Sequence, residues 1–170
     1  MDPFFLWIEN SFLSVWLREA TTIWAFPFVL ILHTVGLAFL VGVNVAIDVR
    51  ALGGAMGVPL ISLRRYYRWM WAGFWVNAFS GVLLLIAYPT KALTNPLFYL
   101  KLTLIATGLV LAAKIRAYVT SGSIGATDAA PRRLRKLAAV SLLVWVASIT
   151  AGRLLAYTCS RLTVDTTCGF

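Results

Sequence analysis

The chain has 170 residues, of which 61% are hydrophobic and only 12% are charged, and its net charge at pH 7 is +9. A soluble domain carries roughly 25% charged residues, so this composition excludes an ordinary soluble protein and indicates an integral membrane protein. The positive charge does not indicate nucleic-acid binding, because the basic residues lie between apolar segments and form no basic and aromatic surface.

The N-terminal segment "DPFFLWIENSFLSVWLRE" has the features of a helix that lies on a membrane surface. Asp2 can cap a helix that begins at Pro3. At about 100° per residue, Asn10, Ser14 and Arg18 share one face of that helix, while mainly aromatic and aliphatic side chains share the other. The pattern predicts an amphipathic interfacial helix over about residues 3–18.

Four apolar segments are long enough to cross a membrane, which takes about 20 mainly apolar residues per helix. They cover about residues 23–47, 69–88, 97–118 and 137–157. The third is the shortest and contains Lys101, but it is too long and too apolar for a loop. With residues 158–170 as a tail, the sequence predicts one integral membrane domain over residues 1–170, an all-α bundle of four transmembrane helices.

Basic residues concentrate in the connection between spans one and two and in that between spans three and four. Of the fifteen Lys and Arg residues, these connections hold Arg50, Arg64, Arg65, Arg68, Lys114, Arg116, Arg132, Arg133, Arg135 and Lys136. Short, positively charged loops stay on the cytoplasmic side. Both termini are therefore predicted to face outward, into the periplasm if the source is a Gram-negative bacterium. In the first connection, Pro59 predicts the start of a short helix that leads into span two.

The two cysteines, Cys159 and Cys168, both follow the last span, on the side predicted to be outside. An oxidising compartment would let them form a disulfide that closes part of the tail into a loop. Free thiols or a metal pair are the alternatives, although no His or acidic cluster accompanies the thiols. We expect the disulfide.

Small and polar residues form a stripe along three of the predicted spans. The stripes are His33, Gly36, Leu40 and Asn44 in span one; Gly73, Asn77, Ser80, Gly81 and Tyr88 in span two; and Ser141, Trp145, Ser148 and Gly152 in span four. Helices in lipid meet through small residues and hydrogen bonds, because lipid already satisfies apolar side chains. These three stripes are predicted to face the interior of the bundle.

His33 is the only histidine of the chain and lies in the middle of an apolar run. If span one begins near Ile23, the ring lies on the order of 15 Å deep at 1.5 Å per residue. Lys101 and Arg153 are predicted to lie closer to the outer surface. Each of these two cations could extend its stem to the headgroups, or the pair could form a cationic rim above the histidine.

Haem b fits this arrangement. Its iron takes an imidazole ligand, its macrocycle can lie between helices, and its propionates need cationic partners near water. We therefore predict a haem site with His33 as the iron ligand and with Lys101 and Arg153 as partners of the propionates. Gly36 would leave space for the macrocycle on one side, and Asn77 and Gly81 would border it on another. One histidine per chain requires five-coordinate iron, a second His33 from an oligomer, or a ligand from a partner subunit.

A purely structural role for His33 is the main alternative. The neutral ring would then hydrogen-bond to Asn77, Ser80 or a backbone carbonyl across the helix interface and bind no cofactor. A quinone, a proton relay and copper are further possibilities, with copper the weakest because no second His or paired Met is present. No motif of hydrolytic catalysis is present, so an enzymatic activity would have to depend on a bound redox cofactor.

Two segments resemble a family of small bacterial four-helix integral membrane proteins of unknown function. They are "EATTIWAFPFVLILHTVGLAFLVGVNVAIDVRALG" and "NAFSGVLLLIAYPTKALTNPLFYLKLTLI", the latter containing an Asn-Pro-x-Phe-x-x-Lys element that ends at Lys101. In layout the family is similar to copper-resistance D-type and cytochrome-b-like membrane domains, which implies haem or electron transfer by analogy.

The preferred functional hypothesis is a haem-b-binding subunit for electron transfer in the bacterial inner membrane. It would work as a homo-oligomer or as part of a larger membrane redox complex. The competing hypothesis is a cofactor-free anchor or oligomeric scaffold whose outer helix and tail receive a periplasmic partner.

Overall fold

The computed structural model of the protein describes residues 7–54, 57–120 and 130–157, which contain helices, turns and no strand. The α-helices are α1 (Phe12–Glu19), α2 (Phe26–Leu52), α3 (Tyr67–Ala87), α4 (Pro89–Leu93), α5 (Pro96–Thr120) and α6 (Arg132–Tyr157), and a 3-10 helix (Leu60–Tyr66) precedes α3. Residues 7–9 are also helical. The two cysteines of the predicted disulfide lie outside the described residues.

Four helices are long and apolar enough to cross a membrane, namely α2, the 3-10 helix continued by α3, α5 and α6. Their outward faces expose large apolar side chains, including Trp75, Phe79, Leu143 and Val146. Such faces suit contact with lipid, which needs no polar cover. The predicted all-α bundle of four transmembrane helices is confirmed, and the protein is a multi-pass membrane protein.

α2 and α6 extend beyond the predicted spans, because basic residues continue both helices. α6 begins at Arg132 and not near residue 137. α2 extends beyond Ile47 to Leu52, and Gly53 ends it with a left-handed φ of 107°. Arg50 lies in this extension, buried, and its Nε donates to the Val58 carbonyl at 2.6 Å. The short helix predicted after Pro59 is confirmed as the 3-10 helix that leads directly into α3.

The helices pack in the order α3, α2, α6, α5. α2 lies along α3, α5 lies along α6, and α2 also contacts α6, whereas α3 and α5 make few direct contacts. The flank between α3 and α5 is therefore the least filled. We call the end with the starts of α2 and α5 the histidine half, and the end with the starts of α3 and α6 the arginine half.

The main apolar core lies in the arginine half. Its fully buried side chains include Leu40, Ile47, Met70, Ile115 and Leu134. A much smaller cluster of Leu17, Val29 and Ala87 closes the far end of the histidine half. Between these two clusters the bundle interior is polar or small, and this level contains His33.

The interfacial helix α1 packs its polar face on the bundle. Ser11 caps the helix by accepting from the Ser14 backbone N–H at 3.4 Å, and the buried Ser14 hydroxyl donates to the Ala87 carbonyl at 3.4 Å. Phe12 and Trp16 are exposed on the opposite face. α1 is therefore amphipathic as predicted, and its apolar face is free to enter lipid. The single helix predicted over about residues 3–18 is interrupted at Asn10 and Ser11, because Ser11 caps a new helix that begins at Phe12. The cap predicted at Asp2 lies outside the described residues.

Candidate functional site

Two glycines bring α2 and α3 into close contact. A Cβ on Gly36 would lie 2.6 Å from the Asn77 backbone nitrogen and 2.9 Å from the Gly73 carbonyl oxygen. A Cβ on Gly73 would in turn lie 2.8 Å from the Gly36 carbonyl oxygen. Only residues without a side chain allow this approach, which is the usual way that helices associate in lipid. The α2–α3 contact fixes the register between His33 and the residues that face it on α3.

A hydrogen bond across this contact fixes the backbone of His33. The side-chain amide of the buried Asn77 donates to the His33 carbonyl at 2.7 Å. The His33 carbonyl oxygen already accepts the backbone hydrogen bond of its helix. Its second lone pair accepts the hydrogen bond from the Asn77 side chain. Asn77 therefore holds the backbone from which the imidazole projects and leaves the ring nitrogens for other partners.

The imidazole of His33 forms a hydrogen bond with the buried Ser80. His33 Nδ1 lies 3.1 Å from Ser80 Oγ. The Ser80 hydroxyl donates its only proton to the Val76 carbonyl oxygen at 2.6 Å. The Asn77 carbonyl oxygen also lies nearby, at 3.1 Å from the same hydroxyl. With that proton engaged, Ser80 can accept from the ring, which requires the tautomer of the neutral imidazole with its proton on Nδ1. In that tautomer Nε2 keeps its lone pair.

Lys101 and two glycines complete the surroundings of the ring. A Cβ on Gly81 would lie 3.3 Å from His33 Cε1, and a Cβ on Gly152 would lie 3.5 Å from Lys101 Cε. The Lys101 ammonium group is close enough to His33 to act on it electrostatically. At both glycines the neighbouring atoms thus belong to a side chain and not to backbone, so this level of the bundle can adapt to a ligand.

The histidine half of α5 is only partly packed. The buried residues of this helix are Gly108, Leu111, Ala112, Ile115 and Val119, all in its second half. Residues 96–107, all described, contribute no buried side chain, although Lys101 is half-buried. The first half of α5, which contains Lys101, is therefore less tightly packed than its second half.

A family model described as a family of unknown function, DUF6644, matches residues 4–158 and so covers nearly the whole chain. The chain belongs to this family. Membership of a family of unknown function agrees with the resemblance seen in the sequence. No curated protein and no solved structure matches the chain significantly. The chemistry of this DUF6644 member must therefore be inferred from its own residues.

The structure distributes the predicted site residues of this DUF6644 member over three environments. His33 lies beside Gly81, and Lys101 lies beside Gly152 within electrostatic range of His33. Gly36 and Asn77 lie in the α2–α3 contact, where the backbone of α3 occupies the space beside Gly36. Arg153 is exposed at the same end of the bundle, next in sequence to Gly152.

A second polar cluster, in the arginine half, was not predicted from the sequence. Asp48 is completely buried, close to the Ser141 hydroxyl and to Tyr67. Neither carboxylate oxygen of Asp48 forms a hydrogen bond that meets normal distance and angle limits, and the same holds for the hydroxyls of Ser141 and Tyr67. An ionisable residue at membrane depth is a functional candidate by default. The signal in the sequence is an acidic residue one turn after Asn44, on the stripe of span one.

Proposed function

We propose that this DUF6644 member is a haem-b-binding membrane subunit for electron transfer, with His33 Nε2 as the axial ligand of the iron. The hydrogen bond from His33 Nδ1 to Ser80 carries the proposal. Histidines that bind metals almost always donate the other ring N–H to a fixed acceptor, which sets the tautomer and the ring orientation. Ser80 supplies that acceptor, because its own proton is engaged by the Val76 carbonyl.

The sparse burial in the first half of α5 supports the fit of a flat macrocycle at this level. Gly81 and Gly152 border this level with no side chain of their own, and the atoms facing them belong to His33 and Lys101. Residues 96–107 of α5 bury no side chain. A planar ligand could therefore enter between α3 and α5 without displacing the α2–α3 contact at Gly36.

Two cations would pair with the propionates of the haem. Lys101 is half-buried, lies close to His33, and has no acidic partner among the described residues. Arg153 is exposed towards the end of α6, where a propionate would reach water. A carboxylate beside Lys101 would compensate the cost of an ammonium group at membrane depth.

Bound haem would supply a one-electron couple, and the protein would supply its ligand, its orientation and its charge environment. Because the chain has a single histidine, the iron would be five-coordinate or would take its sixth ligand from a second His33 or from a partner subunit. This requirement favours a homo-oligomer or a subunit of a larger redox complex. A layout like that of copper-resistance D-type and cytochrome-b-like domains, which the sequence suggests, would fit this role by analogy.

The proposed location is the bacterial inner membrane with both termini in the periplasm. The arginine half would then face the cytoplasm, in agreement with the distribution of Lys and Arg. The histidine half would lie near the periplasm, and the disulfide between Cys159 and Cys168 would form there. Reporter fusions at each terminus test this topology, and cytoplasmic activity of either fusion would contradict it.

A cofactor-free scaffold is the second candidate, and the same hydrogen bonds favour it. Ser80 and Asn77 both bond to His33, so the histidine also helps to hold α2 against α3. In that case the ring would only stabilise the packing of α2 against α3, and the outer helix α1 and the tail would receive a periplasmic partner.

Titration of the purified full-length protein with haemin in detergent separates the two candidates. The wild type is compared with His33→Gln, whose side chain keeps polar atoms near Ser80 but offers no imidazole. Thr34→Ala is the matched control, because Thr34 is the exposed neighbour of His33 and bonds only to its own helix at Leu30. Circular dichroism verifies that the three proteins are equally helical.

Haem binding predicts a saturable shift of the Soret band in the wild type and in Thr34→Ala, and loss of this shift in His33→Gln. Saturation at one haem per two chains would indicate that two His33 residues share an iron. Equal, unsaturable spectra of all three proteins would refute the haem site and leave the scaffold.

A further inference from the structure

Two cavities adjoin each other in the arginine half. The first has a volume of about 650 Å³ and is lined by Arg64, Arg65, Arg68 and Arg116 together with Tyr67 and Trp71. The second has a volume of about 320 Å³ and lies between α3 and α5, where Met70, Leu109 and alanines of α5 form its walls. Tyr67, Trp71 and Arg116 line both cavities, so the two cavities are direct neighbours.

The first cavity has the charge of an anion-binding site. None of its lining residues is acidic, and it contains four guanidinium groups. Arg64 and Arg68 are exposed and one helical turn apart, whereas Arg116 lies over the Tyr67 ring at 5.4 Å. Guanidinium groups bind phosphate oxygens through paired N–H donors and are more weakly hydrated than ammonium groups. A phosphate ester is therefore the ligand chemistry that this cavity fits.

The second cavity has the character of a groove for a hydrocarbon chain. Its walls are mainly apolar side chains and the small side chains of Ala112, Ala113 and Ala117. It opens between α3 and α5, which make few direct contacts. Trp71 stands at its border with the charged cavity, and aromatic residues prefer that level, at which the membrane meets water.

From these observations we propose that the arginine half binds one anionic glycerophospholipid, with its phosphate on the arginines and one acyl chain in the groove between α3 and α5. Basic pockets beside transmembrane helices bind such headgroups. The position of an apolar groove directly beside a cationic cavity favours a whole lipid over a free phosphate, which would use only the first cavity.

Native mass spectrometry of the full-length protein, titrated in detergent with phosphatidylglycerol or phosphatidylcholine, tests this site. The charge variant is Arg64→Gln with Arg68→Gln. Its matched control is Arg132→Gln with Lys136→Gln, which removes two exposed charges at the same spacing and the same end without touching either cavity. The groove variant is Ala113→Leu, and its control is the equally exposed Ala139→Leu on α6.

The proposal predicts that phosphatidylglycerol binds in preference to phosphatidylcholine and that the charge variant weakens its binding about thirtyfold. Ala113→Leu should also weaken it, while both controls bind like the wild type. Equal binding of the two lipids, or wild-type binding by both the charge and the groove variant, would overturn the proposal. Displacement of phosphatidylglycerol by an equal concentration of glycerol phosphate would overturn it too, because the site would then recognise a free phosphate ester.

Discussion

Substitution of Gly36 by alanine tests whether the α2–α3 contact positions His33. The added Cβ would lie 2.6 Å from the Asn77 nitrogen and 2.9 Å from the Gly73 oxygen. Non-bonded carbon atoms prefer about 3.5–4.0 Å, so the two helices would have to separate by about 1 Å. These neighbours are backbone atoms, which cannot move aside as a flexible side chain would.

The expected loss of stability follows from these contacts. Overpacking costs about 1–3 kcal/mol, and separation of the helices would weaken the bond from Asn77 to the His33 carbonyl, at about 1 kcal/mol. The better helix propensity of alanine returns about 0.5–1 kcal/mol. Gly36→Ala should therefore lower the free energy of unfolding by about 2 kcal/mol.

Gly42→Ala is the matched control, because Gly42 lies in the same helix and a Cβ there would have no atom within 4 Å. It should be neutral or stabilise the protein by about 0.5–1 kcal/mol. The assay is equilibrium unfolding in mixed micelles of a mild detergent and dodecyl sulfate, followed by circular dichroism. If Gly36→Ala were as stable as Gly42→Ala, the close contact of α2 and α3 would be refuted.

Three further substitutions probe the interior of the bundle. Ser80→Ala removes the acceptor of the His33 Nδ1 proton and should weaken haem binding about 10–100-fold; unchanged affinity in a haemin titration would contradict the assigned tautomer. Lys101→Met removes a positive charge near the ring, so the reduction potential of bound haem should fall in a redox titration, and an unchanged potential would place the iron away from Lys101. Asp48→Asn removes a buried carboxylate whose oxygens have no hydrogen bond, so the unfolding midpoint should stay equal or rise; a loss of more than about 1 kcal/mol would show that the carboxylate is paired.

The four transmembrane helices could be predicted because hydropathy over about 20 residues depends only on local sequence. The ends of α2 could not be predicted in the same way. Arg50 reads as a loop residue in a hydropathy profile, yet its guanidinium bonds to the Val58 carbonyl and the helix continues to Gly53. Such an end depends on a partner eight residues away, which a window average does not detect.

Periodicity could predict which helix face each site residue lies on, but not which atoms that residue contacts. Periodicity placed His33, Gly36 and Asn77 towards the interior, and Ser80 was one of the expected partners of the ring. Periodicity could not tell that Gly36 meets a backbone while Gly81 meets the His33 ring, since both glycines look alike in sequence. Asp48 was missed because a charged residue near the end of a span is ordinarily read as a loop residue.

The reduced-minus-oxidised optical spectrum of the protein, purified from cells that produce haem, tests the central proposal most directly. Wild-type protein should show a Soret band that shifts on reduction with dithionite, and His33→Ala, if equally helical, should show none. A colourless wild type, or a His33→Ala protein with the same spectrum as the wild type, would contradict haem ligation by His33.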